Sequence, residues 1–196
     1  MRESEEKYRS LFENVNDGFC IIELLYDDGQ PFDYRFVEAN PAFEQQSGLT
    51  QAIGKTAREF TPNLEAVFLT HYETVLATGE PIEFEIQPAD LGRYFRVAAY
   101  RYGDPQNKQL AIVFNDISDR KLNEQQQAFL LKLSDALRPL SDPSEIQRAA
   151  MHNLGEYLAL DRAMYAEITP DGKTVIVNDN YLISNYIELA DNKVQG

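Results

Sequence analysis

Few residues in this chain have the types and spacing that chemistry needs. Cys20 is the single cysteine, which excludes an intrachain disulfide and any Cys-rich metal centre. The two histidines, His71 and His152, stand far apart, and no nucleotide-binding glycine motif follows either of them. The acidic residues outnumber the basic ones by 32 to 18, yet they show neither EF-hand spacing nor a paired arrangement and read as a solvated surface. No metal site and no catalytic constellation emerges, so an enzyme is not expected from these residues. The most informative position is Asp116. It follows the apolar run Ala111 to Phe114 and precedes a long polar helix pattern, Ile117-Ser118-Asp119-Arg120-Lys121. A carboxylate at a strand-to-helix junction can cap the helix or hold Arg120 or Lys121, and either bond ties the helix to the sheet.

The elements around that junction are legible from hydrophobic period. Tyr8, Leu11, Phe12 and Val15 recur at helical spacing. Asp27-Asp28-Gly29-Gln30 carries turn chemistry between two strand patterns. Leu64 to Ala77 has apolar residues at 64, 67, 68, 72, 75 and 76, with Gly79 and Pro81 beyond as a stop. From there the period becomes two. Ile82, Phe84 and Ile86 alternate with Glu83 and Glu85, and Phe95, Val97 and Ala99 form the next run. Asp104 to Asn107 then turns the chain into Leu110 to Asn115. Pro88 to Arg93 is a loop in which Asp90 and Arg93 form a surface pair. Strands at both ends with helices between them predict an α+β domain, a single antiparallel sheet with helices on one face.

After residue 119 the pattern changes. Leu122, Phe129, Leu133, Leu137 and Leu140 form a narrow stripe resembling a coiled-coil seam, for which self-pairing is the natural cover. Asp142-Pro143-Ser144-Glu145 reads as a cap, a proline at the first helical position and a capping box. Met164 to Ile168, a turn at Thr169 to Gly172, and Thr174 to Val177 follow.

Several segments, in order, resemble PAS sensor domains. They are Glu6 to Val15 as an N-terminal helix, Asp17 to Glu23, Tyr34 to Phe43, Gly48-Leu49-Thr50, Ile53-Gly54-Lys55 and Thr78-Gly79-Glu80-Pro81. Asn115 to Lys121 is similar to the Asp-Ile-Thr type motif that ends such domains. Leu158-Ala159-Leu160-Asp161-Arg162-Ala163 resembles the beginning of a GAF domain, incomplete here. The organisation implied is a PAS domain over 1–121, a signalling or coiled-coil helix over 122–140 and a partial GAF-like segment over 141–196. The opening residues resemble a linker between modules.

The resemblance implies a sensory module of a bacterial signal-transduction protein of the sensor histidine kinase type, with its output domain outside this chain. The relay residues would be Asp116, Ile117, Ser118 and Arg120, and the pocket lining Phe43, Phe84, Phe95, Ile112 and Phe114. Homodimerisation is expected through the N-terminal helix, the linker helix or both. The alternative is a ligand-free dimerisation scaffold whose interior is filled by Phe19, Phe36, Phe43, Phe84, Phe95 and Phe114. Haem-binding relatives place their ligand nearer position 68 than His71. Light-sensing relatives carry a reactive cysteine on a central helix, whereas Cys20 falls in the first strand, the central helix segment here reads Asn40-Pro41-Ala42-Phe43 with no thiol, and Phe114 stands where a flavin-contacting Gln is expected. His152-Asn153-Leu154-Gly155-Glu156 lacks the acidic neighbour and the Arg/Lys-x-Pro-Leu-like run of phosphoacceptor histidines.

The net charge of −14 opposes nucleic acid and anionic membrane surfaces. No apolar stretch approaches the ~20 residues of a membrane span, and Met1 to Lys7 is too charged for a signal peptide, so the cytoplasm is expected. No cofactor is expected, although a small metabolite is compatible with the pattern. The purified protein should therefore be colourless. A haem Soret band, a flavin absorbance in the blue, or either mass retained in native mass spectrometry would contradict this.

Overall fold

The computed structural model describes residues 12, 13, 15–170 and 175–182, and side chains through residue 175. The expected N-terminal helix, with Tyr8 and Leu11, falls mostly outside the described residues. The chain packs as two compact units, Met1–Lys121 and Leu122–Gly196.

The first unit is built on a five-stranded antiparallel sheet of β1 (Gly18–Asp27), β2 (Gln30–Ala39), β3 (Ile82–Ile86), β4 (Phe95–Tyr102) and β5 (Gln109–Asp116). Their spatial order is β2-β1-β5-β4-β3. The first and last strands are thus central neighbours, with Gly18 opposite Phe114 and Glu23 opposite Gln109. Alternation decides what each strand buries. Cys20, Ile22 and Leu24 of β1, Phe95, Val97 and Ala99 of β4, and Leu110, Ile112 and Phe114 of β5 all enter one core. Phe19, expected among the interior rings, instead belongs to the opposite face of β1. It is half-buried against Phe12, ring to ring at 5.3 Å. One irregularity sits between Ile21, opposite Glu38, and Ile22, opposite Phe36. Val37 is the extra residue there and is 38% exposed.

Three helices cover the core face: α1 (Pro41–Ser47), α2 (Ala57–Phe60) and α3 (Ala66–Thr78). The first two start on a recognisable signal. Asn40 caps α1 with Pro41 at its first position, and Thr56 with Glu59 forms a reciprocal capping box on α2. Gly79, at φ 78°, ends α3 by donating its N–H to the Val75 carbonyl at 2.9 Å, a left-handed position that favours glycine. The helix begins later than the expected Leu64, and its buried face is Phe68, Leu69, Tyr72 and Val75. Val67, expected inside, is 38% exposed, because the stripe is turned by part of a residue spacing toward Leu69. Ile22, Leu24, Leu110 and Val75 are the largest fully buried side chains, each worth roughly 1.5–3 kcal/mol of burial.

The second unit takes up most of a long helix, α4 (Ser118–Leu137), which starts in the first unit, followed by α5 (Pro143–Tyr157) and the antiparallel pair β6 (Arg162–Ile168) and β7 (Val175–Leu182). Asp142 caps α5 by accepting from the N–H groups of Ser144 and Glu145. The apolar stripe expected to await a second copy has one partner within the chain: Phe129 stacks on Tyr157 at 4.1 Å, and Lys132 reaches Glu156 at 2.8 Å. Leu122, Leu130 and Leu131 remain more than half exposed, as do Met164 and Ile168.

Gly18 meets its neighbour most closely. A Cβ built there would lie 2.4 Å from Phe114 Cζ and 2.7 and 2.8 Å from its two Cε atoms, against the face of a ring already held by Phe43 and Phe95. Gly18→Ala should cost about 1–3 kcal/mol, the usual range for overpacking. A chemical-denaturation midpoint equal to that of the parent would contradict the contact.

Candidate functional site

The site follows from where β5 ends. Asp116 is its last residue, opposite Phe95 on β4. Its carboxylate Oδ1 accepts the Ser118 N–H at 2.9 Å, satisfying the first orphan donor of α4. Its Oδ2 lies 3.6 Å from Arg93 Nη1. Ile117, only 7% exposed, donates its N–H to the Tyr94 carbonyl at 2.8 Å, and its own carbonyl accepts from Lys121. The Ser118 hydroxyl accepts the Tyr94 N–H at 2.9 Å. Both backbone groups of Tyr94, immediately before β4, are therefore engaged by the two residues that open the helix.

Arg120 and Lys121 both reach Glu85 on β3, at 2.5 and 2.6 Å. Lys121 first, then Arg120, holds the Glu85 carboxyl below the usual glutamate range. The Asp90–Arg93 surface pair does not form, because each has a better partner. Asp90 accepts from the backbone N–H and side-chain amide of Asn63, both at 3.0 Å, while Arg93 turns to Asp116 and the Gln46 carbonyl.

The same junction is held from the central helix. Gln46, the penultimate residue of α1, accepts the Asp116 N–H through Oε1 at 2.7 Å and donates through Nε2 to the Asn16 carbonyl. At the start of the same helix, Asn40 is 2% exposed and uses its whole carboxamide. Oδ1 accepts from Phe43 and Phe19, each at 2.9 Å, and Nδ2 donates to Phe12 at 3.2 Å and Asp17 at 3.0 Å. Asn40-Pro41 was readable as a helix start. Gln46, Tyr94 and Glu85 were not singled out, since a glutamine on a short helix or a glutamate in an alternating strand reads as ordinary solvated surface.

Beneath the junction lies a cavity of about 80 Å³ lined by residues that include Cys20, Tyr34, Phe36, Phe43, Ser47, Phe68, Tyr72, Phe95, Ile112 and Phe114. Its rings meet edge to face. Phe114 is 5.6 Å from Phe43 and 5.7 Å from Phe95, and Phe36 is 5.2 Å from Phe43. Phe84 lies outside this lining, against Phe68 at 5.9 Å and His71 at 4.6 Å. On α3 it is Phe68 and Tyr72 that reach the cavity. No charged side chain lines it, and burial pushes the Cys20 thiol and the Tyr34 and Tyr72 hydroxyls up, so all three stay neutral. Such a space suits a small neutral molecule and is well below the roughly 300 Å³ of pockets that enclose drug-sized ligands. Among the described residues no cluster of three metal-ligating side chains occurs, and no helix is long and apolar enough to cross a membrane.

With this geometry in hand, comparisons place the first unit. Residues 6–81 match a family model described as PAS domain, and the five-stranded antiparallel sheet with its helices is the PAS fold. The first unit is therefore a PAS domain. No curated protein matches the sequence. Similar solved structures include an RNA-binding Light-Oxygen-Voltage receptor (14% identity, 67% of this chain and 37% of that one, TM-score 0.47). The PAS domain of an HTR-like protein from Haloarcula marismortui is another (21% identity, 60% of this chain and 100% of that one, TM-score 0.41). A third is a sensory box sensor histidine kinase from Vibrio cholerae (18% identity, 59% and 91%, TM-score 0.39). The chain thus spans little more than a third of the first of these.

Glu85 makes the helix attachment sensitive to acid. Its folded value is depressed, so the clamp is complete above the ordinary glutamate value of 4.5 and is lost as pH falls below that value through the depressed one. Hydrogen-exchange protection in the first turn of α4 should drop across this acid range, and Glu85→Gln should remove the dependence. An unchanged acid profile in Glu85→Gln would show that the clamp does not hold the helix.

Proposed function

We propose that the first unit is the sensory module of a signalling protein of the sensor histidine kinase type, and that its role is regulatory rather than catalytic. A small neutral molecule in the cavity, or a partner pressing on the sheet, shifts the packing of Ile112 and Phe114 against Phe43 and Phe95. Asp116, Ile117, Ser118 and Arg120 pass the shift to α4. The stripe of Leu122, Leu133 and Leu137 on that helix offers the face through which it pairs with a second copy, in the cytoplasm, ahead of a kinase output domain. The observation that carries this reading is that Phe114, a cavity wall, stands two residues before Asp116 on the same strand. Movement of one cannot be absorbed by a loop before it reaches the other.

A second reading, a scaffold that binds nothing and only dimerises, is favoured by the small cavity and its interlocked rings. Mutation separates the two. Asp116→Ala should cost about 0.5–2 kcal/mol as a lost cap, and Ile112→Val about 0.5–1.5 kcal/mol as a trimmed core residue. At matched stability in a full-length receptor, Asp116→Ala should change signal output more than Ile112→Val. Equal effects would leave Asp116 as a helix cap and favour the scaffold.

A further inference from the structure

The end of the β1–β5 ladder is completed by a side chain. Gly18 pairs with Phe114, so two residues further along the same antiparallel register Asn16 stands opposite Asp116. In an unbroken ladder the Asp116 N–H would donate to the Asn16 carbonyl. Here the Gln46 carboxamide occupies that place. Its Oε1 accepts the Asp116 N–H at 2.7 Å, and its Nε2 donates to the Asn16 carbonyl. A carboxamide carries an acceptor and a donor on one planar unit and so does both.

Gln46 does not itself line the cavity but shares its short helix with residues that do. Its neighbour Ser47 and, one turn earlier, Phe43 line the cavity, and α1 has only seven residues, so it moves as one piece. The Gln46 carbonyl accepts from Arg93 at 3.0 Å, the same guanidinium that faces Asp116. From these contacts we infer that Gln46 is a positioning residue: it inserts α1 into the central ladder and couples the cavity wall both to the start of β1 and to the amide that anchors the outgoing helix. This rests on the sensory reading above and adds a second route to it, through the helix instead of along β5.

Xenon under pressure is a suitable probe, since it enters small apolar cavities without bonding to anything. In the full chain, xenon should shift the amide resonances of the lining residues Phe43 and Ile112 and also those of Asp116 and Ser118. In Gln46→Leu, which has neither donor nor acceptor, the shifts at Phe43 and Ile112 should persist while those at Asp116 and Ser118 are lost. In Gln46→Glu, which keeps the acceptor, the Asp116 response should survive; this variant also carries the test if Gln46→Leu does not fold. An Asp116 response in Gln46→Leu equal to the parent's, or its loss in Gln46→Glu, would overturn the role of Gln46 alone. If xenon moves the lining residues of the parent and leaves Asp116 and Ser118 still, the sensory reading itself fails. No shift at Phe43 or Ile112 in the parent would overturn both, because the cavity would then not be an input.

Discussion

The hydrogen bonds that join Tyr94 to Ile117 and Ser118 are the constraint on which the rest of this structure depends. A helix leaving a sheet is ordinarily free to pivot, since its first N–H groups have no partners of their own. Here the pivot is blocked from three sides. The Asp116 carboxylate takes the first N–H of α4, Tyr94 takes and gives one bond each, and Glu85 holds Arg120 and Lys121. Each bond is modest alone, about 0.5–1.5 kcal/mol for a neutral pair. Together they hold the first turn of α4, which lies in the first unit, to the end of the sheet. Moving that turn breaks several of them at once.

Strand order explains why this junction also touches the beginning of the domain. With β1 and β5 as central neighbours, the chain enters and leaves the sheet at one place. Asn40 and Gln46, on one short helix segment, reach both the residues before β1 and the last residue of β5. The division of polarity is equally consistent. The cavity is lined only by neutral groups, its thiol and phenols kept protonated by burial, while the ionic contacts at the start of the helix remain at the surface, where water screens them and lets them exchange.

Most of the fold was legible because its signals are local. The period-two runs before and after Arg93 gave β3 to β5, Asn40-Pro41 and Asp142-Pro143 marked helix starts, and Gly79 marked a stop. Asp116 was legible as a junction because an apolar strand met a polar helix there. What stayed hidden depends on pairing across the chain. Gln46 is 70 residues from Asp116 and Glu85 is 35 from Arg120, so neither partner is visible from spacing. Phe19 was miscounted as interior because the face of β1 is set by its partners, not by its own apolar content. Phe129 looked unpartnered for the same reason, its cover being Tyr157 on another helix.

The most direct measurement is residue-resolved native-state hydrogen exchange at the junction. If the junction is a single cooperative unit, the amides of Tyr94, Asp116, Ile117, Ser118 and Lys121 open with one common free energy, above that of the rest of α4 and with the same response to denaturant. Exchange of Ser118 and Lys121 at a lower free energy than Tyr94 and Ile117 would show that the helix opens without disturbing the sheet. In that case the strand and the helix are merely adjacent, and no state of the domain is carried across Asp116.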